Sequence, residues 1–111
     1  MNRTQAIAAF RLGSVLGGGG AAPEPNEPAA WRAHAASMQA AAARATRAAR
    51  AVGRVPLLIG NDSVHGHANL RGATLFPHHI GQGCMGDTAL VEELARLSCR
   101  ESHACGINWM F

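Results

Sequence analysis

Val55-Pro56-Leu57-Leu58-Ile59-Gly60 runs directly into Asn61-Asp62-Ser63-Val64-His65-Gly66-His67, and this stretch decides the fold. Its first half is a short run that is apolar at successive positions, the pattern of a parallel strand buried on both faces. Pro56 has no N–H to give to a ladder, so it belongs at the strand's beginning. The second half is polar and rich in Gly and His, as a loop is. A parallel strand needs crossover connections, usually helical, so helices are expected before and after it.

Upstream, Asn26-Glu27-Pro28 reads as a helix start: a capping amide, then an acid and a proline in the first turn. Trp31, Ala35, Met38, Ala42, Ala45, Ala49 and Val52 recur at steps of four and three, one apolar stripe closed by Gly53. Gly17 to Gly20 and three prolines separate this helix from a brief strand at Ser14-Val15-Leu16. Residues 1–12 read as a lead-in, with a short helix ending near Phe10. Downstream, the loop from Asn61 continues to Gly86. Asp87 then caps a second long helix over Thr88 to Ala104, apolar at Leu90, Leu94 and Leu97, with Gly106 as its stop. Ile107 to Phe111 reads as a third strand, with Trp109 and Met110 expected in the interior. The order βαβαβ implies an α/β fold with parallel strands and right-handed crossovers, spanning residues 13–111.

A chain of 111 residues allows one small domain or a portion of a larger one. Its net charge of +3 and 48% hydrophobic content are globular values. No apolar run approaches the ~18 residues of a membrane-spanning helix, so no membrane partner is expected. Arg11 interrupts the N-terminal apolar stretch too early for a signal peptide, and the compartment stays open. All ten basic residues are Arg. Without Lys there is no P-loop lysine, no Schiff base and no Ser–Lys pair. Cys84, Cys99 and Cys105 are odd in number and lack paired spacing, so they are expected to be reduced and packed.

Of the seven carboxylates, only Asp62 falls at the carboxyl end of a strand, where α/β folds bind their ligands. Glu24 and Glu27 lie in the Pro-rich loop; Asp87, Glu92, Glu93 and Glu101 lie on or beside a helix. The two oxygens of an ionised Asp can accept hydrogen bonds from adjacent hydroxyls of a sugar. They can equally close an Asx turn. Spacing alone leaves both roles open.

The run VPLLIGNDSVHGHANLRGATLFPHHIGQG, residues 55–83, resembles the strand-and-loop signature of glycoside hydrolase family 3. Gly13-Ser14-Val15-Leu16 with the following glycines and Trp31 is similar to an upstream portion of the β-glucosidase and exo-glucanase branch. Glu101 with Cys105-Gly106-Ile107-Asn108-Trp109 and Phe111 is similar to a downstream portion. Departures are Ser63, Ala68, His79, Gln82, Cys84 and Cys105, mostly exchanges between small residues.

The resemblance implies a partial TIM-like (β/α)8 barrel, about three of its eight parallel strands with two main helices. It implies a retaining hydrolase of terminal β-D-glucosyl residues, acting on a β-glucoside or β-glucan oligosaccharide without cofactor or metal. By position, Asp62 corresponds to the family's aspartate that binds sugar hydroxyls, and His65, Gly66 and His67 would support that loop. The family's catalytic carboxylates lie further along and have no counterpart here, so this chain alone is expected to be inactive. Chemistry sets the same limit. Retention needs two carboxyl groups ~5–5.5 Å apart and inversion ~6.5–9.5 Å, and one site-facing acid supplies neither.

Two other readings compete. His65, His67, His78 and His79 with Cys84 contain zinc-ligand types but lack a paired-ligand spacing. Arg44, Arg47, Arg50 and Arg54 could form a phosphate-binding ridge, but no aromatic residues interleave them, and a solvated helix face explains them without nucleic acid. An apolar edge at Ile107 to Phe111 would also favour self-association.

Overall fold

The structure, a computed structural model, describes residues 1–17, 20–48 and 55–111. The elements in chain order are α1 (Arg3–Phe10), β1 (Ser14–Gly17), α2 (Pro28–Ala48), β2 (Leu58–Asn61), α3 (His79–Gly83), α4 (Thr88–Ala104) and β3 (Trp109–Met110). The strands form one sheet in the order β1-β2-β3. Both pairings are parallel: Ser14 lies opposite Leu58, Gly17 opposite Asn61 and Gly60 opposite Trp109. The α/β architecture read from the pattern is therefore present, with α2 and α4 carrying the crossovers.

Local chemistry accounts for the helix ends. Asn2 caps α1 through a reciprocal capping box with Gln5. Asp87 caps α4, its Oδ1 accepting from Leu90 N at 3.0 Å. Beyond α4, Gly106 takes φ +85°; its N–H donates to His103 O and that of Ile107 to Ser102 O. This is a Schellman ending, for which glycine's freedom at positive φ is required.

The core gathers on one side of the sheet. Ile7, Ala35, Met38, Ala41, Leu57 and Ile59 form one buried cluster, with Val15 and Ala42 packed against it. Trp31, Cys105 and Ile107 form a second, joined by Leu70 and Met110. Ile7 is fully buried, so the segment read as a lead-in contributes a core side chain.

Several expectations need correction. Asn26 does not cap α2, which starts at Pro28; its side chain bridges instead to the loop after β2. The buried face of α2 includes Ala41, missed by the stripe, because α1 packs alongside α2 and widens that face. Ala49 to Arg54, the end expected for that helix, and Gly18 and Gly19 lie outside the described residues. On α4 the buried positions are Ser98 and Ser102, while Leu90 is exposed and Leu94 and Leu97 are half-buried. Cys84 and Cys99 are free but exposed; only Cys105 is packed. The loop after β2 also contains the short helix α3, with His78 Nδ1 accepting from Ile80 N.

The largest correction concerns the sheet itself. Leu57, Ile59 and Asn61 are buried towards the helices, whereas the alternate residue Leu58 is 46% exposed. Leu16 on β1 and Trp109 and Phe111 at β3 are likewise 59%, 43% and 45% exposed. Alternation along a strand puts these residues on the other face. That face is apolar, as the doubly apolar pattern requires, but the described residues do not cover it.

Candidate functional site

The carboxyl ends of β1 and β2 meet at Gly17 and Asn61, and the loop that leaves Asn61 carries the acid singled out above. Asp62 is exposed between two buried neighbours, Asn61 and Ser63, each 1% exposed. Below it, Gly60 admits no side chain: a Cβ there would lie 2.8 Å from Trp109 Cε3 and 3.1 Å from Phe111 Cε1. The two rings, 5.1 Å apart, cover the backbone one residue before Asn61. Ser63 N donates to Phe111 O at 3.3 Å, so the acid sits in a short arch tied at its far end to β3.

A buried polar relay holds this arch. Asn61 Nδ2 donates to Ser63 Oγ at 3.0 Å and lies 3.4 Å from His67 Nδ1. With Nδ1 accepting from the amide, the imidazole carries its proton on Nε2. Burial pushes the His67 pKa below the ordinary 6.5, outweighing the opposite pull of the Glu101 charge. The ring packs edge-on against Trp31 at 4.6 Å. Trp31 Nε1 in turn donates to Asn26 Oδ1 at 2.8 Å, and Asn26 Nδ2 donates to Asn69 O at 2.9 Å. One chain of contacts thus links the end of β2, the loop and the start of α2.

The outer half of the loop is braced separately. His65 and Phe76 are tied by Phe76 N donating to His65 O and by His65 Nδ1 lying 3.1 Å from Phe76 O. Gly66 between them has φ +78°, and a Cβ would approach Phe76 Cδ2 to 2.8 Å. The Glu101 carboxylate accepts from Thr74 N at 3.1 Å and Thr74 Oγ1 at 2.8 Å, fastening the loop to α4. No local sequence pattern marks Glu101 or Asn26 as a support of this loop, because their partners in it lie 27 and 43 residues away.

The remaining carboxylates are placed elsewhere. Glu93 pairs with Arg96 at 2.6 Å on the surface of α4, Glu92 is exposed on the same helix, Asp87 caps it, and Glu24 and Glu27 precede α2. Asp62 borders neither of two cavities, one of about 300 Å³ between α2 and the sheet and one of about 120 Å³ between the loop and α4. Among the described residues no three His, Cys, Asp or Glu side chains come together as a metal-ligand group, and no helix is long and apolar enough to cross a membrane. Arg44 and Arg47 are exposed on α2; Arg50 and Arg54 lie outside the described residues.

Parallel strands backed by helices on one face, with a polar loop at the carboxyl end of the middle strand, define a segment of the α/β-barrel type. The comparisons with known proteins give the family. The family model described as "Glycosyl hydrolase family 3 N terminal domain" matches residues 2–111, and the chain belongs to that family. A lysosomal beta glucosidase of Dictyostelium discoideum is 34% identical over 58 residues, 52% of this chain and 7% of that protein. The crystal structure of an exo-1,3/1,4-beta-glucanase from a Pseudoalteromonas species superposes with a TM-score of 0.83 at 35% identity. It covers 99% of this chain, which spans 14% of that one. A point mutant of the same glucanase gives a TM-score of 0.80 at 35% identity, over 99% of this chain and 18% of its own. The chain thus spans less than a fifth of the length of each of these proteins.

Proposed function

We propose that the chain serves as the opening portion of a retaining β-glucosidase or β-glucanase barrel, in which Asp62 grips the sugar and other residues cut it. The observation carrying this reading is the exposure of Asp62 at the carboxyl end of β2, on an arch whose neighbours are buried and hydrogen-bonded. An aspartate so held offers two acceptor oxygens with little freedom to lose, which suits vicinal hydroxyls of a glucosyl unit. His65, Gly66 and His67 act on the sugar only by keeping that arch in place.

Bond cleavage with retention needs a nucleophilic carboxylate and a second carboxyl group on the other side of the bond. Asp87, Glu93 and Glu101 are engaged in capping, pairing and bracing, Glu92 lies on α4, and Glu24 and Glu27 precede α2, so none is carried on the arch that holds Asp62. The isolated chain therefore turns over no aryl β-glucoside, and a polypeptide supplying the remaining barrel strands would be needed, whether in the same chain or separate. The bare apolar face of the sheet is the surface such strands would cover.

The test is complementation. The chain is mixed with, or fused to, the remainder of a family relative's barrel, and aryl β-glucoside hydrolysis is followed. The chain alone gives the buffer rate and the combination gives turnover. Asp62→Asn in the combination lowers kcat/KM by about a hundredfold or more, since hydrogen bonds to a charged acceptor contribute ~1.5–3 kcal/mol each. Hydrolysis by the purified chain alone, or an Asp62→Asn combination as active as the parent, refutes the proposal.

A further inference from the structure

Asn26 lies in the Pro-rich loop before α2, outside any helix or strand. Its half-buried side chain nevertheless makes three hydrogen bonds. Oδ1 accepts from Trp31 Nε1 at 2.8 Å and from Arg71 N at 3.3 Å, and Nδ2 donates to Asn69 O at 2.9 Å. Three of the four bonds open to a carboxamide are thus made. The pairing with Asn69 O and Arg71 N is the one a neighbouring strand's peptide group would make, and it needs a donor and an acceptor together. An aspartate at this position would lack the donor.

This one side chain holds His67 from two sides. The His67 backbone O accepts from Leu70 N at 3.0 Å, closing a turn whose far end Asn26 clamps at residues 69 and 71. The His67 ring meets Trp31 edge-on at 4.6 Å, and the indole, 7% exposed, is fixed in turn by its bond to Asn26. So placed, the imidazole Nδ1 lies 3.4 Å from Asn61 Nδ2, which also bonds Ser63 Oγ. Asn61 and Ser63 are the two buried neighbours of the exposed Asp62. Every link is a packed or hydrogen-bonded contact, a contiguous path of the kind that carries energetic coupling.

We propose that Asn26 is a positioning residue for the Asp62 site: through Trp31 and the turn at 67–71 it sets the His67 ring, which sets Asn61 and Ser63 on either side of the acid. The inference rests on the reading of Asp62 as the sugar-gripping acid. Asn26 itself touches no sugar.

The first arm of the test uses the whole chain labelled with ¹³C in its histidine rings, observed by magic-angle spinning, which tolerates self-association. The signal that His67→Gln removes is His67, and its midpoint in the parent lies below 6.5. Burial holds it down against the Glu101 charge on α4, and the Cys105 thiol packed with Trp31 is raised by burial and stays neutral through this range. Asn26→Ala loosens the clamp and admits water to the ring, and the midpoint rises towards 6.5 by about half a pH unit or more. Trp31→Phe keeps a ring against His67 but cannot donate to Asn26. It moves the midpoint the same way, and the double variant moves it no further than Asn26→Ala alone, because both delete the same bond. Where Asn26→Ala does not fold, Trp31→Phe decides. An unmoved midpoint, or additive shifts in the double variant, overturns the path.

The second arm uses the chain combined with the remainder of a relative's barrel. Asn26→Ala lowers kcat/KM by about fivefold, the worth of one net hydrogen bond, and this loss vanishes in the Asp62→Asn background. A loss that persists there shows that Asn26 serves the fold alone and overturns the proposal. An Asp62→Asn change that is itself silent refutes the sugar-binding reading, and the histidine titration then still decides whether Asn26 sets His67.

Discussion

Replacing Gly106 by alanine tests how the second crossover is seated. The residue ends α4 at φ +85°, and an added Cβ would come within 2.5 Å of Ala35 Cβ on α2. Two costs follow. The left-handed backbone costs a non-glycine residue about 1–2 kcal/mol, and overpacking of a closed contact costs about 1–3 kcal/mol. Together they remove about 2–5 kcal/mol, a large part of the ~5–15 kcal/mol typical of a folded domain. Only the second cost depends on Ala35. Ala35→Gly alone loses about 2 kcal/mol from helix propensity and a buried methyl, yet in the Gly106→Ala background it removes the collision. The double variant is then more stable than the sum of the singles predicts by about 1–3 kcal/mol. Urea unfolding followed by tryptophan fluorescence, on all four chains, measures this coupling. Additivity within about 0.5 kcal/mol would mean that α2 and the α4–β3 turn do not touch as described.

Other expectations are as direct. Because the folded chain holds His67 neutral while the unfolded chain protonates it near its ordinary 6.5, the unfolded state binds the extra proton as pH falls. Stability is therefore full above that value and declines below it, and His67→Gln flattens the slope between about pH 7 and pH 5. Glu101→Gln weakens the double contact to Thr74, costs about 1 kcal/mol and speeds hydrogen exchange at the Thr74 amide; unchanged protection would contradict the brace. Gly66→Ala, with its clash against Phe76, loosens the arch, read as faster exchange at Ser63 and Leu70. The purified chain elutes larger than a monomer at micromolar concentration, and Leu58→Glu with Phe111→Ser shifts it towards monomer. A sharp monomer before mutation would show that the bare sheet face and β3 edge do not self-associate.

What could be read in advance was the chemistry that acts over a few residues. Asp87 and Gly106 bracket α4 because capping and positive φ are local demands. Asp62 was found because strand ends are legible from an apolar run stopping at Gly60. Tertiary partners were not legible. Asn26 looks like a helix cap until the loop at Asn69 and Arg71 is brought beside it. Ala41 is surface on an isolated helix and becomes core only when Ile7 lies against it. The doubly apolar pattern of β2 correctly described both faces of the strand, but burial depends on what stands opposite, and the exposures of Leu58 and Trp109 follow from that. His67 and Trp31 could each be named, yet no spacing rule announces that an imidazole edge meets an indole.

The two rings lying over Gly60 carry a spectroscopic consequence. Ring currents from Trp109 and Phe111 act on the α-protons of Gly60, most on the one that points at the rings, and move them away from the crowded region of other glycines. Those protons sit two residues from Asp62, so a saccharide drawn to that carboxylate would tilt the rings or the backbone and displace an isolated, easily followed signal.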